Sequence, residues 1–164
     1  MAKTKNTSEF SNLQEYLSNI LMRLVQAENE FEITRLLNSV FDNFPQIKYA
    51  GLYLKHEIEE EKLYMPYAYG FEIEEARSAN RSAEERHPGY VMRNKEVLHI
   101  PDTEKFQGLT MSELGRKTEV RSRLWIPLLD QSICFGSIGA ASHEVNAFDQ
   151  EFIDFFTTLG KIFG

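Results

Sequence analysis

Cysteine is almost missing from this chain: of its 164 residues only Cys134 carries a thiol. No intrachain disulfide, zinc cluster or two-cysteine redox cycle can be assembled from one sulfur, and a reducing, cytoplasmic setting fits. Long apolar runs are missing too. Met1 to Phe10 has no apolar core of the kind a signal peptide needs, and no stretch approaches the roughly 18 residues of a membrane span, so no membrane insertion is expected. An excess of positive charge is likewise lacking. Asp and Glu number 25 against 18 Lys and Arg, a formal net charge of -7, which opposes a sequence-independent grip on phosphate backbones; nucleic acid is not expected as a direct partner. There is no G-x-S-x-G turn, no glycine-rich phosphate loop, no internal repeat and no low-complexity stretch.

What is present is core material: 42% hydrophobic residues, including 12 Phe, in a 19.1 kDa chain. That is enough for one domain, expected over residues 11–164 behind a flexible tail at 1–10. Leu13, Tyr16, Leu17, Ile20, Leu21 and Leu24 recur at helical spacing, with Ser11 and Gln14 offering a capping box. A second helix follows, capped by Asn29 with Glu32 three residues on, its stripe running from Ile33 to Phe44 and ended by Pro45.

The pattern then turns to strand. Lys48 to Lys55 and Lys62 to Gly70 read as a hairpin around the acidic link His56 to Glu61, with Leu63, Met65, Tyr67 and Tyr69 on one face and Pro66 marking a sheet edge. Phe71 to Arg86 predicts a short helix plus loop. Pro88 to Arg93 predicts one or two helical turns, closed by Asn94 as a left-handed stop, before a short strand over Glu96 to Ile100. Asp102 to Glu119 is a long connection. Ser122 to Leu129 and Ile133 to Ser142 make a second hairpin, and a last helix begins near Asn146 with Phe148, Phe152, Phe155, Phe156, Leu159 and Phe163 on one side. Its apolar end suggests a chain that continues past Gly164 as part of a longer protein. This order predicts an α+β fold: a central antiparallel sheet of five to six strands, terminal helices on one face, short helices and loops on the other.

Three stretches, HPGYVMRNKEVLHIPD (His87 to Asp102), SRLWIPL (Ser122 to Leu128) and FGSIGAASHEVNAFDQEFIDFF (Phe135 to Phe156), in this order resemble a GAF domain, from about Leu13 to Phe163. The resemblance implies the GAF/PAS-like sheet just described. It also implies a niche between sheet and loops that holds a cyclic nucleotide, a tetrapyrrole or another small metabolite, or a domain that only dimerises. Carried over by position, it places Tyr69, Phe71, His87, Pro88, Phe106, Met111 and Arg121 around that niche, an aromatic wall with few polar groups suited to a flat or partly apolar ligand.

The finer motifs point away from particular ligands. Asn94, Lys95 and Phe106 match the pattern of cyclic-nucleotide binders, but Thr110 and Met111 stand where its acidic pair belongs, and Asn94 is equally a turn residue. Cys134, between Ile133 and Phe135, reads as a packed small side chain rather than a thioether anchor. Relatives that reduce methionine sulfoxide use several cysteines, and one cannot both attack and be resolved. His56, His87, His99 and His143 form no metal-ligand spacing, and the acidic run Glu57 with Glu59 to Glu61 reads as a solvated hairpin tip. Arg116, Lys117, Arg121 and Arg123 gather beside the long connection, where they either clamp a carboxylate or phosphate or pair with Glu113, Glu119 or other surface acids.

With no catalytic constellation found, the expectation is a regulatory module rather than an enzyme, with no metal site and an unidentified small molecule as ligand. It would relay binding through its terminal helices to an output domain in the same chain, as a homodimer. The alternative is a ligand-free dimerisation module whose pocket is filled by side chains.

Overall fold

A computed structural model describes residues 6–59, 62–80, 83–108 and 119–163, with the side chains of 6–12 left out. The chain divides into two compact units, Met1–Asn43 and Phe44–Gly164.

The first unit is a helical hairpin. Helix α1 spans Asn6–Gln26 and so starts upstream of the expected Ser11 cap, with residue 10 inside the helix rather than in a tail. Helix α2 spans Glu30–Asp42, and the Asn29 side chain accepts the Glu32 amide at 3.1 Å, which satisfies one of the donors orphaned at a helix start. Polar contacts stitch the pair: Asn43 Nδ2 donates to the Tyr16 hydroxyl at 2.8 Å, and Tyr16 donates to the Ser39 carbonyl at 3.3 Å. No helix among the described residues is long and apolar enough to cross a membrane.

In the second unit, strands β1 (Tyr49–Lys55), β2 (Leu63–Tyr69), β3 (Leu98–Ile100), β4 (Ser122–Asp130) and β5 (Ile133–Ser142) form one antiparallel sheet in the order β2-β1-β5-β4-β3. Between β2 and β3 lie α3 (Ile73–Asn80), a 3-10 turn at Ala83–Glu85 and α4 (His87–Asn94); α5 (Gln150–Phe163) follows β5. This is the expected α+β fold, with two hairpins joined where β1 pairs with β5. Pro66 lies on an edge strand, as anticipated. Pro127 sits where β4 has run past the three-residue β3, so its missing N–H breaks no ladder on that side.

Strand register assigns each residue to a face. Ala50, Ala140 and Leu124 oppose one another, as do Leu52, Ile138 and Ile126. These rows face α5, where a Cβ on Gly160 would stand 2.7 Å from Ile126 Cγ2. Phe152, Phe155, Phe156 and Leu159 are buried, each stabilising by on the order of 1.5–3 kcal/mol. Phe152 stacks on Phe148 and Phe156 at 5.1 and 5.5 Å. The rows between, beginning with Tyr49, Ala141 and Arg123, face α4 and the 3-10 turn.

Three local expectations change. Leu63, Met65, Tyr67 and Tyr69 do not share a face. Leu54 opposes Tyr64 and Leu52 opposes Tyr67, so Met65 and Pro66 together face Tyr53 in a β-bulge. Pro66 has no amide to pair, and the Met65 amide donates to Asn80 Oδ1 at 2.8 Å instead of to the ladder. Leu63 and Met65 therefore pack with Tyr53 on the α4 side, whereas Tyr67 and Tyr69 turn to the other. The left-handed residue closing α4 is Lys95 (φ 57), not Asn94, whose side chain donates to the Tyr90 carbonyl at 2.8 Å. Asn146 is a turn residue (φ 54), and Asp149 caps α5 by accepting the Phe152 amide at 2.8 Å.

Candidate functional site

The α4 side of the sheet has three rows. Arg123, Ala141 and Tyr49 form the first; Leu98, Trp125, Gly139, Gly51 and Ala68 the second; Pro127, Ser137 and Tyr53 the third. The small residues of the middle row leave room for large rings to lie flat. A Cβ on Gly139 would stand 2.4 Å from the Trp125 ring, and one on Gly51 would stand 3.0 Å from the Tyr53 ring. The two rings meet with centroids 5.5 Å apart. Around them Leu63, Ala83, Val91 and Met92 complete an apolar shell.

Helix α4 brings the polar part. Gly89 lets it approach closely, since a Cβ there would stand 1.9 Å from the Glu84 carbonyl oxygen. His87, at the first turn, is 2% exposed. Its ring lies 6.5 Å from Trp125 and 6.3 Å from Phe106, and its Nδ1 is 3.4 Å from Nη1 of Arg123. Arg86, just before the helix, donates to the Ser78 carbonyl at 3.3 Å. Burial pulls its pKa down, with Tyr53 beside it opposing. No side chain caps α4, so its positive N-terminal end stands beside these cations.

Nε1 of Trp125, the hydroxyl of Ser137 and Nη2 of Arg86 are buried in this region without a hydrogen-bond partner among the described residues. Trp125 is 8% and Ser137 0% exposed. Burying a donor unpaired costs about 1–3 kcal/mol, so such a group is unusual in an ordinary core.

Of the residues placed around a niche by position, His87, Pro88 and Phe106 come together at α4. Phe71 borders the group, its ring 5.0 Å from Tyr49. Tyr69 does not join it: the bulge sets it opposite Ala50, on the α5 side. Arg121 does not join it either, because its guanidinium is taken by Asp102 at 3.3 Å, Glu104 at 3.1 Å and Glu119 at 3.8 Å. The Asp102 hydrogen bond leads in raising its pKa. Met111, like Arg116 and Lys117, lies outside the described residues. Cys134 packs against the apolar shell, its Sγ 3.2 Å from the Gly136 carbonyl oxygen, and burial raises its pKa. Trp125, Ser137, Tyr53 and Arg86 were not singled out from sequence. The available signal was the alternation in SRLWIPL, where Arg123 and Trp125 interleave with Leu124 and Ile126.

The two faces of this antiparallel α+β sheet thus differ in kind, one apolar and the other carrying buried donors beside arginines. The GAF domain family matches residues 33–164, and the chain belongs to that family. No curated protein matches it in sequence. Among solved structures it is similar to the GAF domain of a phosphoenolpyruvate-protein phosphotransferase from Coxiella burnetii (17% identity, TM-score 0.74, covering 92% of this chain and 89% of that one). The GAF domain of the Acinetobacter phosphotransferase is similar as well (15%, TM-score 0.72, 93% and 90%). So is free methionine-R-sulfoxide reductase from Neisseria meningitidis, solved with its substrate (18%, TM-score 0.69, 99% and 92%). These likenesses establish the fold. The last corrects the expectation that the chain is not an enzyme: reductases are built on this same fold, so the fold and the lack of a recognisable motif do not exclude catalysis.

Proposed function

We propose that the domain is a regulatory sensor of a cytoplasmic signalling protein, binding a small molecule on the α4 side of its sheet and passing the change on through its terminal helices to an output domain in the same chain. The observation that carries this reading is the pair of buried, unpartnered donors, Trp125 Nε1 and Ser137 Oγ, beside the contact of Arg123 with His87. Buried donors without a protein partner are places where an ordered water or a ligand completes the hydrogen bonding, and here an apolar shell and cations stand around them. Membership in a family of commonly regulatory domains supports the same role.

The test is thermal melting against a panel of nucleotides, haem, amino acids and oxo-acids. A ligand at about 100 times its Kd adds about 2.7 kcal/mol and raises Tm measurably. No shift with any compound counts against sensing.

A second reading, self-association through α1, is favoured by Leu21, Met22 and Val25, which are 45%, 63% and 77% exposed. It predicts a dimer at micromolar concentration by light scattering that polar substitutions at the exposed Met22 and Val25 turn into monomer.

A further inference from the structure

Resting on the sensing reading above, we propose that the ligand is a small organic carboxylate with an apolar body, its oxygens received by the Trp125 indole N–H and the Ser137 hydroxyl, with Arg123 as counter-charge.

The indole nitrogen decides the polarity of the missing partner, because it can only donate. Whatever completes the site must present an acceptor there. Ser137 is the diagonal cross-strand neighbour of Trp125, the latter being opposite Gly139, so the two residues stand about 7–8 Å apart at their Cα atoms. One small molecule spans that distance between side chains.

Charge selects an anion over a neutral acceptor. Arg123 precedes Trp125 by two positions on β4 and shares its face, and its guanidinium meets His87. Arg86 stands next along the chain at the uncapped start of α4, with its Nη2 buried and without a hydrogen-bond partner among the described residues. Of the basic residues gathered near β4, Arg121 is held by three carboxylates, whereas Arg123 lies on the face that carries Trp125 and Ser137.

The shell selects a carboxylate over a phosphate. Tyr53, Trp125, Val91, Met92 and Leu98 surround the donors with apolar surface. A dianion with several oxygens needs a nest of backbone amides, and no glycine-rich loop supplies one. A monoanion with two oxygens matches one indole N–H, one hydroxyl and one guanidinium, while the rings pack its apolar part.

Trp125 is the single tryptophan of the chain, so its emission reports on this site alone. The experiment titrates the protein with benzoate and pyruvate, with their amides benzamide and pyruvamide, and with inorganic phosphate, following fluorescence and thermal melting together. We expect a saturable emission change with at least one carboxylate, about tenfold or more tighter than its amide. Arg123→Gln should weaken binding at least about tenfold and Arg123→Lys less, since a cation remains. Ser137→Ala should weaken it severalfold, and Arg77→Gln, the same charge change on the exposed side of α3, should leave it unchanged. Equal binding of acid and amide, binding of phosphate alone, or indifference to Arg123→Gln in a protein that still melts cooperatively overturns the proposal. If a neutral compound from the wider panel raises Tm while carboxylates do not, the carboxylate assignment falls and sensing stands. If nothing in either panel shifts Tm or emission, both fall.

Discussion

The two faces of the sheet are made from the same strands and differ in almost everything else. On the α5 side, Leu124, Ile126, Leu128, Ile138 and Ala140 are at most 2% exposed and interlock with stacked phenylalanines. On the α4 side the matching rows hold Arg123, Trp125, Ser137 and two glycines, with buried polar atoms and a histidine against an arginine. The first arrangement maximises apolar burial. The second gives up stability at positions where leucine or valine would satisfy the core, a cost expected where function, rather than packing, selects the residue. A strand alternates its side chains with period two, so one sheet can carry both arrangements without conflict.

The comparison can be broken most forcefully on the α5 side. Phe156→Ala removes a ring that is 0% exposed and should cost about 3–5 kcal/mol in denaturant unfolding; a loss below about 1 kcal/mol would show that this face is not the stabilising one. Gly139→Ala attacks the other face by geometry. Its new Cβ would stand 2.4 Å from the Trp125 ring, so the indole must move, at about 1–3 kcal/mol, and the emission maximum should shift with it. An unmoved emission would mean that the ring does not lie over Gly139.

Ser137→Ala sharpens the contrast from the opposite direction. Although Ser137 is as buried as Phe156, deleting an unpartnered hydroxyl should leave stability within about 1 kcal/mol of the parent or raise it. A larger loss would reveal a hydrogen bond that the site depends on.

The smallest expected effect is a pH dependence. His99 pairs with Leu124 and so lies on the α5 side, where burial lowers its pKa from the ordinary 6.5. The unfolded chain then binds the proton more readily than the folded one. Its contribution is present above pH 6.5 and is lost as the pH falls toward the depressed value. Tm should decline modestly from pH 7 to 5, and His99→Gln should flatten part of that slope. No change in slope would remove His99 from the account.

Much of this was legible along the chain, for local reasons. Helix α2 follows from the Asn29 cap and its apolar stripe, and the two hairpins follow from strand composition around polar links. The misplacements of Tyr69 and Arg121 turn on one more level of contact. Tyr69 was placed at the niche by resemblance and grouped with Leu63 and Met65 by strict alternation through Pro66, but a residue without an amide, together with the Asn80 side chain taking the Met65 amide, inserts a bulge that puts it on the face opposite theirs. Arg121 was placed at the niche by resemblance, while the basic cluster left open whether it clamps an anion or pairs with acids such as Glu119. Only the folded loop shows Asp102, Glu104 and Glu119 closing on it.

The sequence by itself determined the kinds of elements, their antiparallel arrangement and the family, because capping, period and turn chemistry act over a few neighbouring residues. The tertiary structure alone decided that His87, Arg123, Trp125 and Ser137 meet on one face. They come from α4, β4 and β5, and their meeting depends on the register between strands and on where α4 docks. Both are set by long-range packing of the whole core rather than by any segment's own preference.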